Sequence, residues 1–367
     1  MAGLLARLAL AESPSLEPAA QRRAAEILAE ELTGLGFGVE RLAGGRSGDH
    51  LLAERGGGDE RPRQLLIGHL DTVWPVGTVD RMPVRIEGGR ITGPGVYDMK
   101  GGLVQMLFAL RALRDLGLEP EARPVVFVNS DEEVGSPSSA EQIGLLARTA
   151  VRAFVLEPSF GPFGKLKTAR KGVGRFTLRI KGRASHAGLD PEQGVSAVLE
   201  ASHQIQRLFE LNDRERGVTV NVGTIDGGLR PNVVAPEVTA EVDARVLRDE
   251  DARLVEAAIL ALEPVQEGIT IEVEGGFGRP PLERTPRNRE LWEAAQKAAD
   301  ALGIPIDEAT VGGASDGNLT SRHTATLDGL GPVGEGAHAP DEYVSLSQMP
   351  ERAALLALLV MMPAGER

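Results

Sequence analysis

The chain has 367 residues, 42% hydrophobic and 25% charged, enough apolar sequence for two domains, or for one large domain with an insertion, and too much for a disordered or fibrous protein. Acidic residues number 53 against 40 basic ones, and the net charge of -13 repels a phosphate backbone, which argues against nucleic acid as a partner. There are no cysteines, so disulfides, thiolate metal sites and a cysteine nucleophile are excluded.

Met1 to Ala11 is short and interrupted by Arg7, a poor signal peptide. No apolar run approaches the roughly 20 residues that cross a bilayer, so a cytoplasmic protein with no membrane partner is expected. Pro18 to Gly34 places Ala24, Ile27, Leu28 and Leu32 at helical spacing. Leu65-Leu66-Ile67, ending at His69, reads as a buried strand, followed by a Gly- and Pro-rich stretch and a helix over 102–116. A strand at 124–129, a helix at 138–149 and a strand at 151–156 continue the alternation, which predicts an α/β fold with a mainly parallel sheet. The pattern changes near Lys171. Strand 172–181, helix 192–211, strands 217–225 and 237–247, helix 250–263 and strand 269–275 give the β-α-β-β-α-β order of a ferredoxin-like module. After Pro280 and Pro281 come a helix at 289–302, short strands near 306–311 and 324–327, and a helix at 346–361. The expected organisation is a large α/β domain over 1–170 and 280–367, interrupted by an inserted α+β domain at 171–279.

Chemistry-bearing residues fall just past the apolar runs. His69 and Asp71 follow the first strand, Asp98 lies in a glycine-rich loop, Asp131-Glu132-Glu133 follows the next strand, Glu157 the one after, and His338 sits in a late loop. Strand C-terminal ends are where parallel sheets gather their active groups. Four clustered carboxylates, Asp98, Glu132, Glu133 and Glu157, with two imidazoles call for a compensating cation, since buried unpaired charge is expensive. Their N/O donors suit zinc, and cobalt or manganese also. Each acid taken singly is as readily a helix cap or a solvated loop residue; the joint placement argues otherwise. The doublet Glu132-Glu133 offers one carboxylate to a metal and its neighbour as a base.

The strings His69-Leu70-Asp71-Thr72, Gly93-Pro94-Gly95-Val96-Tyr97-Asp98-Met99-Lys100-Gly101, Asp131-Glu132-Glu133-Val134-Gly135-Ser136 and Gly182-Arg183-Ala184-Ser185-His186-Ala187-Gly188 resemble the co-catalytic zinc aminoacylase and carboxypeptidase family. That family includes bacterial glutamate carboxypeptidase, acetylornithine deacetylase and succinyl-diaminopimelate desuccinylase. The resemblance runs over nearly the whole chain and implies a catalytic domain with an inserted lid and dimerisation domain. It implies that Asp98 bridges two zinc ions, with His69 and Glu157 completing one site and Glu133 and His338 the other. Two such ions polarise the scissile carbonyl and lower the pKa of the attacking water towards about 7, while Glu132 takes its proton and returns it to the leaving nitrogen. Asp71 is implied to orient His69, and a cis peptide is implied at Asp98-Met99.

In the inserted domain, the resemblance implies a homodimer in which His186 reaches the partner subunit's active site and stabilises the oxyanion; a plain turn residue is its alternative reading. Asn232 and Arg279 resemble the groups that hold a substrate carboxylate, for which a guanidinium fork is suited. Arg245 either joins them or braces a strand. Lys165 and Gly313 are expected to line the pocket. His50, His203 and His323 read as surface or packing residues.

Three rival functions are weighed. Gly313-Ala314-Ser315-Asp316-Gly317 fits the G-x-S-x-G pattern of a serine hydrolase using Ser315, which leaves the acidic cluster without a purpose. A non-catalytic paralogue would have lost a ligand or the base, and here all are present. Within the enzyme reading, Trp74-Pro75-Val76-Gly77-Thr78 and Leu156-Glu157-Pro158-Ser159 look closer to glutamate carboxypeptidase members. The expectation is release of a C-terminal amino acid, with glutamate the candidate, from a small peptide or acyl amide; deacylation of an N-acyl amino acid is the alternative.

Overall fold

The apolar runs form the strands Arg63–His69, Arg123–Asn129 and Ala150–Val155 of a computed structural model that describes residues 1–56 and 60–364. These strands pair in parallel, and Ala325–Leu327 adds a fourth beside Ala150–Val155. Leu65, Leu66, Ile67 and Val125 to Val128 are all buried, as a sheet covered on both faces requires. An antiparallel pair, Gly38–Leu42 and His50–Glu54, completes a six-stranded sheet. Periodicity did not reveal this pair, because Gly38–Leu42 buries no residue fully. His50 proves to be a packing residue: it is buried, its Nδ1 accepts from the Ser130 N–H at 3.2 Å, and its Nε2 lies 3.1 Å from Ser138 Oγ.

On one face, Leu28 and Leu32 of helix Pro18–Gly34, Leu103 and Leu107 of helix Gly101–Asp115, Trp292 of helix Pro286–Leu302, and Leu355 and Leu356 of helix Gln348–Val360 share one core. The N-terminal stretch that reads as a poor signal peptide is a helix, Ala2–Leu10, and buries Leu5 and Leu8 in that core. Ile143 and Leu146 of helix Ala140–Thr149 join a second cluster with Leu65, Ile67 and Phe127. A small antiparallel sheet of Arg85–Glu87, Arg90–Thr92, Gly334–Glu335 and Tyr343–Ser345 closes the loop that carries His338. Strands of two or three residues have no readable period, so none of these was expected.

The chain divides into two compact units. One comprises Met1–Thr168, Arg284–Thr310 and the residues from Ser315 onward; the other comprises Ala169–Glu283 and Val311–Ala314. The second unit has a four-stranded antiparallel sheet in the spatial order Thr219–Gly227, Glu237–Val246, Gly172–Lys181, Thr270–Arg279, with helices Ala197–Glu210 and Asp249–Leu260 supplied by the intervening chain. Strand Gly172–Lys181 alternates as a half-buried strand should: Phe176, Leu178 and Ile180 are buried, while Arg179 and Lys181 pair with Glu274 and Glu272. The helix expected from 192 starts at Ala197. Pro191–Gln193 forms a separate 3-10 turn, and Ser196 caps the helix by accepting from the Leu199 N–H. Among the described residues no helix is long and apolar enough to cross a membrane.

Candidate metal centre

The parallel strands of the first unit deliver their C-terminal ends to one place. His69 ends strand Arg63–His69, Glu132 and Glu133 lie in a 3-10 turn after strand Arg123–Asn129, and Glu157 follows strand Ala150–Val155. Asp98 sits in a tight turn, Val96–Lys100, before helix Gly101–Asp115, and the Asp98-Met99 peptide is cis. The helix comes close because residue 102 is glycine: a Cβ there would stand 1.9 Å from the Leu156 carbonyl oxygen.

The two carboxylate oxygens of Asp98 face different imidazoles. Its Oδ1 is 3.4 Å from His69 Nε2, and its Oδ2 is 3.5 Å from His338 Nε2. His69 Nε2 is also 3.4 Å from Glu157 Oε1, and His338 Nε2 is 3.1 Å from Glu133 Oε2. Side-chain donors of His69, Glu132 and Glu157 lie within 4.8 Å of one another, as do those of His69, Asp98 and Glu133. His69 Nε2, Asp98 Oδ1 and Glu133 Oε1 are buried and make no hydrogen bond among the described residues. Buried polar atoms are seldom left so, and this set of N/O donors fits divalent cations, zinc among them.

Electrostatics agree with the geometry. Burial alone would push the Asp98 carboxyl up, but His338 and His69 hold it well below the usual carboxylate range. His338 is raised to about 10 by Asp98 and Glu133. Burial opposes a charge on His69, yet the carboxylates of Asp71, Asp98 and Glu157, each with an oxygen 3.4 Å from an imidazole nitrogen, lift it well above an ordinary histidine. Burial raises Glu133.

The supporting residues fix these groups. Asp71 Oδ1 and Oδ2 accept the Glu132 and Glu133 N–H groups, both at 3.2 Å, and Oδ2 accepts Ser15 Oγ–H at 2.6 Å. His69 Nδ1 is 3.0 Å from the Asp71 carbonyl oxygen and 3.4 Å from Oδ1, so Asp71 meets both the imidazole and the acidic doublet. Asp131 accepts from Ser138 and Ser139, anchoring the turn from its other side. Glu342 is fully buried, and its oxygens accept four N–H groups: Tyr97 at 2.8 Å and Asp98 at 3.0 Å on Oε1, Gly95 at 2.9 Å and the Trp74 indole at 3.1 Å on Oε2. Burial raises its pKa to about 7. The sequence gives little hint of it, for only burial distinguishes Glu342 from any loop acid.

In the second unit His186 is exposed, and its Nδ1 accepts the Gly188 and Leu189 N–H groups at 3.1 and 3.2 Å. His186 bridges Val233, which brings the Asn232 loop alongside, with the Asn232 carbonyl accepting the Ala187 N–H. Arg279 ends its strand and is buried. Arg245 donates to both Asp243 oxygens, at 2.9 and 3.2 Å, and to the Gly312 carbonyl at 2.9 Å; these contacts describe the bracing alternative. The Gly313 carbonyl accepts from Arg170. In the first unit, Lys165 forms a surface ion pair with Asp307 at 2.5 Å. Ser315 is fully buried, accepts the Gly317 N–H as a helix cap and donates to Asp328 at 2.6 Å. That is not the exposed nucleophile a serine hydrolase presents.

Comparison with known proteins leads to the same chemistry. Carboxypeptidase G2 of Pseudomonas sp. (strain RS-16) is 31% identical over 353 residues, 92% of this chain and 83% of that protein. N-acetyl-L-citrulline deacetylase of Xanthomonas campestris pv. campestris is 28% identical over 328 residues, covering 86% and 84%. The aminopeptidase PepT structure from Bacillus cereus superposes with a TM-score of 0.76 at 23% identity, covering 98% of this chain and 96% of that one, a likeness of fold. Residues 65–362, which span every candidate ligand from His69 to His338, match Peptidase family M20/M25/M40, and this chain is an enzyme belonging to that family.

Proposed function

We propose that this amide hydrolase releases a C-terminal amino acid, with glutamate the expected one, from a peptidyl or acyl amide. The reading rests above all on one observation, the two Asp98 oxygens turned toward the imidazoles of His69 and His338. His69, Glu157, Asp98, Glu133 and His338 would hold two divalent cations, zinc by donor type, which when bound would supply Lewis-acid polarisation of the scissile carbonyl and a more acidic attacking water. Glu132 is the general base. It takes the proton of that water and delivers it to the leaving nitrogen, a role worth roughly 10² to 10⁴ in rate. Asp71 positions both partners, since it holds the Glu132 N–H and contacts His69 Nδ1.

His186 is assigned to the oxyanion. With Nδ1 accepting two backbone N–H groups, the neutral ring carries its hydrogen on Nε2, which makes it a donor for developing negative charge. Asn232 and Arg279 hold the substrate carboxylate. We assign the oligomer as a homodimer formed through the second unit, in which each His186 serves the partner subunit. Val198, Leu199 and Phe209 are exposed on one helix and Ile225 on the edge strand Thr219–Gly227, apolar surface of the kind that association covers. Light scattering should give twice the chain mass, falling to one chain in a Val198→Asp/Phe209→Asp variant with loss of turnover; a fully active monomer contradicts the assignment.

Deacylation of an N-acyl amino acid is the second reading, favoured by the similarity to an acetylcitrulline deacetylase. A panel of N-acyl-glutamates, acetylornithine, succinyl-diaminopimelate and dipeptides separates the two, and preference for neutral C-terminal side chains overturns glutamate. Glu132→Gln should lose at least about 10²-fold in kcat while keeping its metal. Retained turnover in that variant would sink the mechanism.

A further inference from the structure

The site contains a carboxylate that the proposed chemistry leaves without a task. Glu342 is buried four residues after His338, in a loop folded back on itself by the Ala339 N–H to Gly336 carbonyl and Glu342 N–H to Ala339 carbonyl bonds. The loop is tight: a Cβ on Gly336 would stand 2.9 Å from the Glu342 Cα. From this base the Glu342 side chain crosses to a different segment and takes up the N–H groups of Gly95, Tyr97 and Asp98. Three amides converging on one anion form a nest, and here the anion belongs to the chain itself. One of those amides is that of Asp98, whose carboxylate faces both imidazoles.

We propose that Glu342 is a positioning residue that locks the His338 loop to the Asp98 turn, and thereby assembles the cation position formed by His338, Glu133 and Asp98. The inference rests on the two-metal reading above. Chemistry requires a carboxylate here. Each oxygen accepts two N–H groups, Tyr97 and Asp98 on Oε1, Gly95 and Trp74 on Oε2. An amide side chain in either orientation would aim its NH₂ at two donors. Glu342→Gln therefore keeps the shape and removes the match, and freeing the Asp98 turn from the His338 loop separates two donors of the same cation.

The test is a zinc titration against a competing chelator, with metal content measured after dialysis. Wild type should hold two zinc ions per chain. In Glu342→Gln one ion should weaken by about 10- to 100-fold, as losses of groups supporting metal ligands do, with the other little changed. In a His338→Ala background, which already lacks that position, Glu342→Gln should have no further effect. Trp74→Phe removes one of the four N–H donors and should weaken the same ion by less, which keeps the test open if Glu342→Gln fails to fold. Two ions bound with wild-type affinity in Glu342→Gln, or equally unchanged binding in Trp74→Phe where the first variant is not recovered, overturns the proposal. So does equal weakening of both ions, or a further loss in the His338→Ala background. Wild type that binds fewer than two ions while active refutes the two-metal reading instead, so the two failures are distinguishable.

Discussion

His338 has the most exposed side chain of the five candidate ligands, at 51% against 15% for Asp98, and the protons of the metal-free state are easiest to follow there. Asp98 and Glu133 push its pKa up to about 10 from 6.5, so at neutral pH the metal-free imidazole is charged. A ligating imidazole must be neutral, and cation binding therefore expels that proton. Calorimetric titration of zinc in two buffers of different ionisation enthalpy at pH 7.5 should show release of about one proton or more per chain, with apparent affinity rising as pH climbs towards 10. A pH-independent affinity contradicts this. The sign for stability is opposite. Since the folded pKa is raised, the ion pair contributes fully to the metal-free fold below pH 6.5, and the contribution is lost as pH rises through about 10. The Tm of the metal-free protein should fall across that window and that of the zinc form should not.

Elements hold these side chains in place through close contacts that admit no extra atom. Helix Gly101–Asp115 abuts the carbonyl of Leu156, the residue before Glu157, and a methyl on Gly102 would fall inside the contact distance of that backbone oxygen. Gly102→Ala should therefore destabilise the fold by about 1–3 kcal/mol and weaken zinc by displacing Glu157, readable as a lower Tm and a lower chelator midpoint. Wild-type values for both would show that the helix packs elsewhere. Long elements such as Pro18–Gly34 and Gly172–Lys181 are legible from residue spacing because burial on one side imposes a period. The hairpin of Gly38–Leu42 with His50–Glu54, and the short strands around His338, are not: Gly38–Leu42 buries no residue fully, and Tyr343–Ser345 pairs with Arg90–Thr92, distant in sequence. The Ser196 cap, by contrast, is a local signal that places the start of helix Ala197–Glu210 at Ala197 rather than 192.

At the scale of the molecule, the parallel strands gather His69, Glu132, Glu133 and Glu157, and the turn and loop beside them add Asp98 and His338. All six follow apolar runs or lie in glycine-rich turns, which is why they were legible without coordinates. What was not legible acts through pairings: Glu342 with the Asp98 turn, and the return segment Val311–Ala314, whose carbonyls at Gly312 and Gly313 accept from Arg245 and Arg170. Nothing in a single sequence reports which buried acid will meet which amide. The account as a whole depends on Asp98 serving two cations at once, and anomalous diffraction at the zinc edge on crystals of active, zinc-loaded protein tests this most directly. Two peaks about 3.5–4 Å apart should flank the Asp98 carboxylate, one toward His69 and Glu157 and the other toward Glu133 and His338. A single peak, or none, in crystals that still turn over substrate would contradict it.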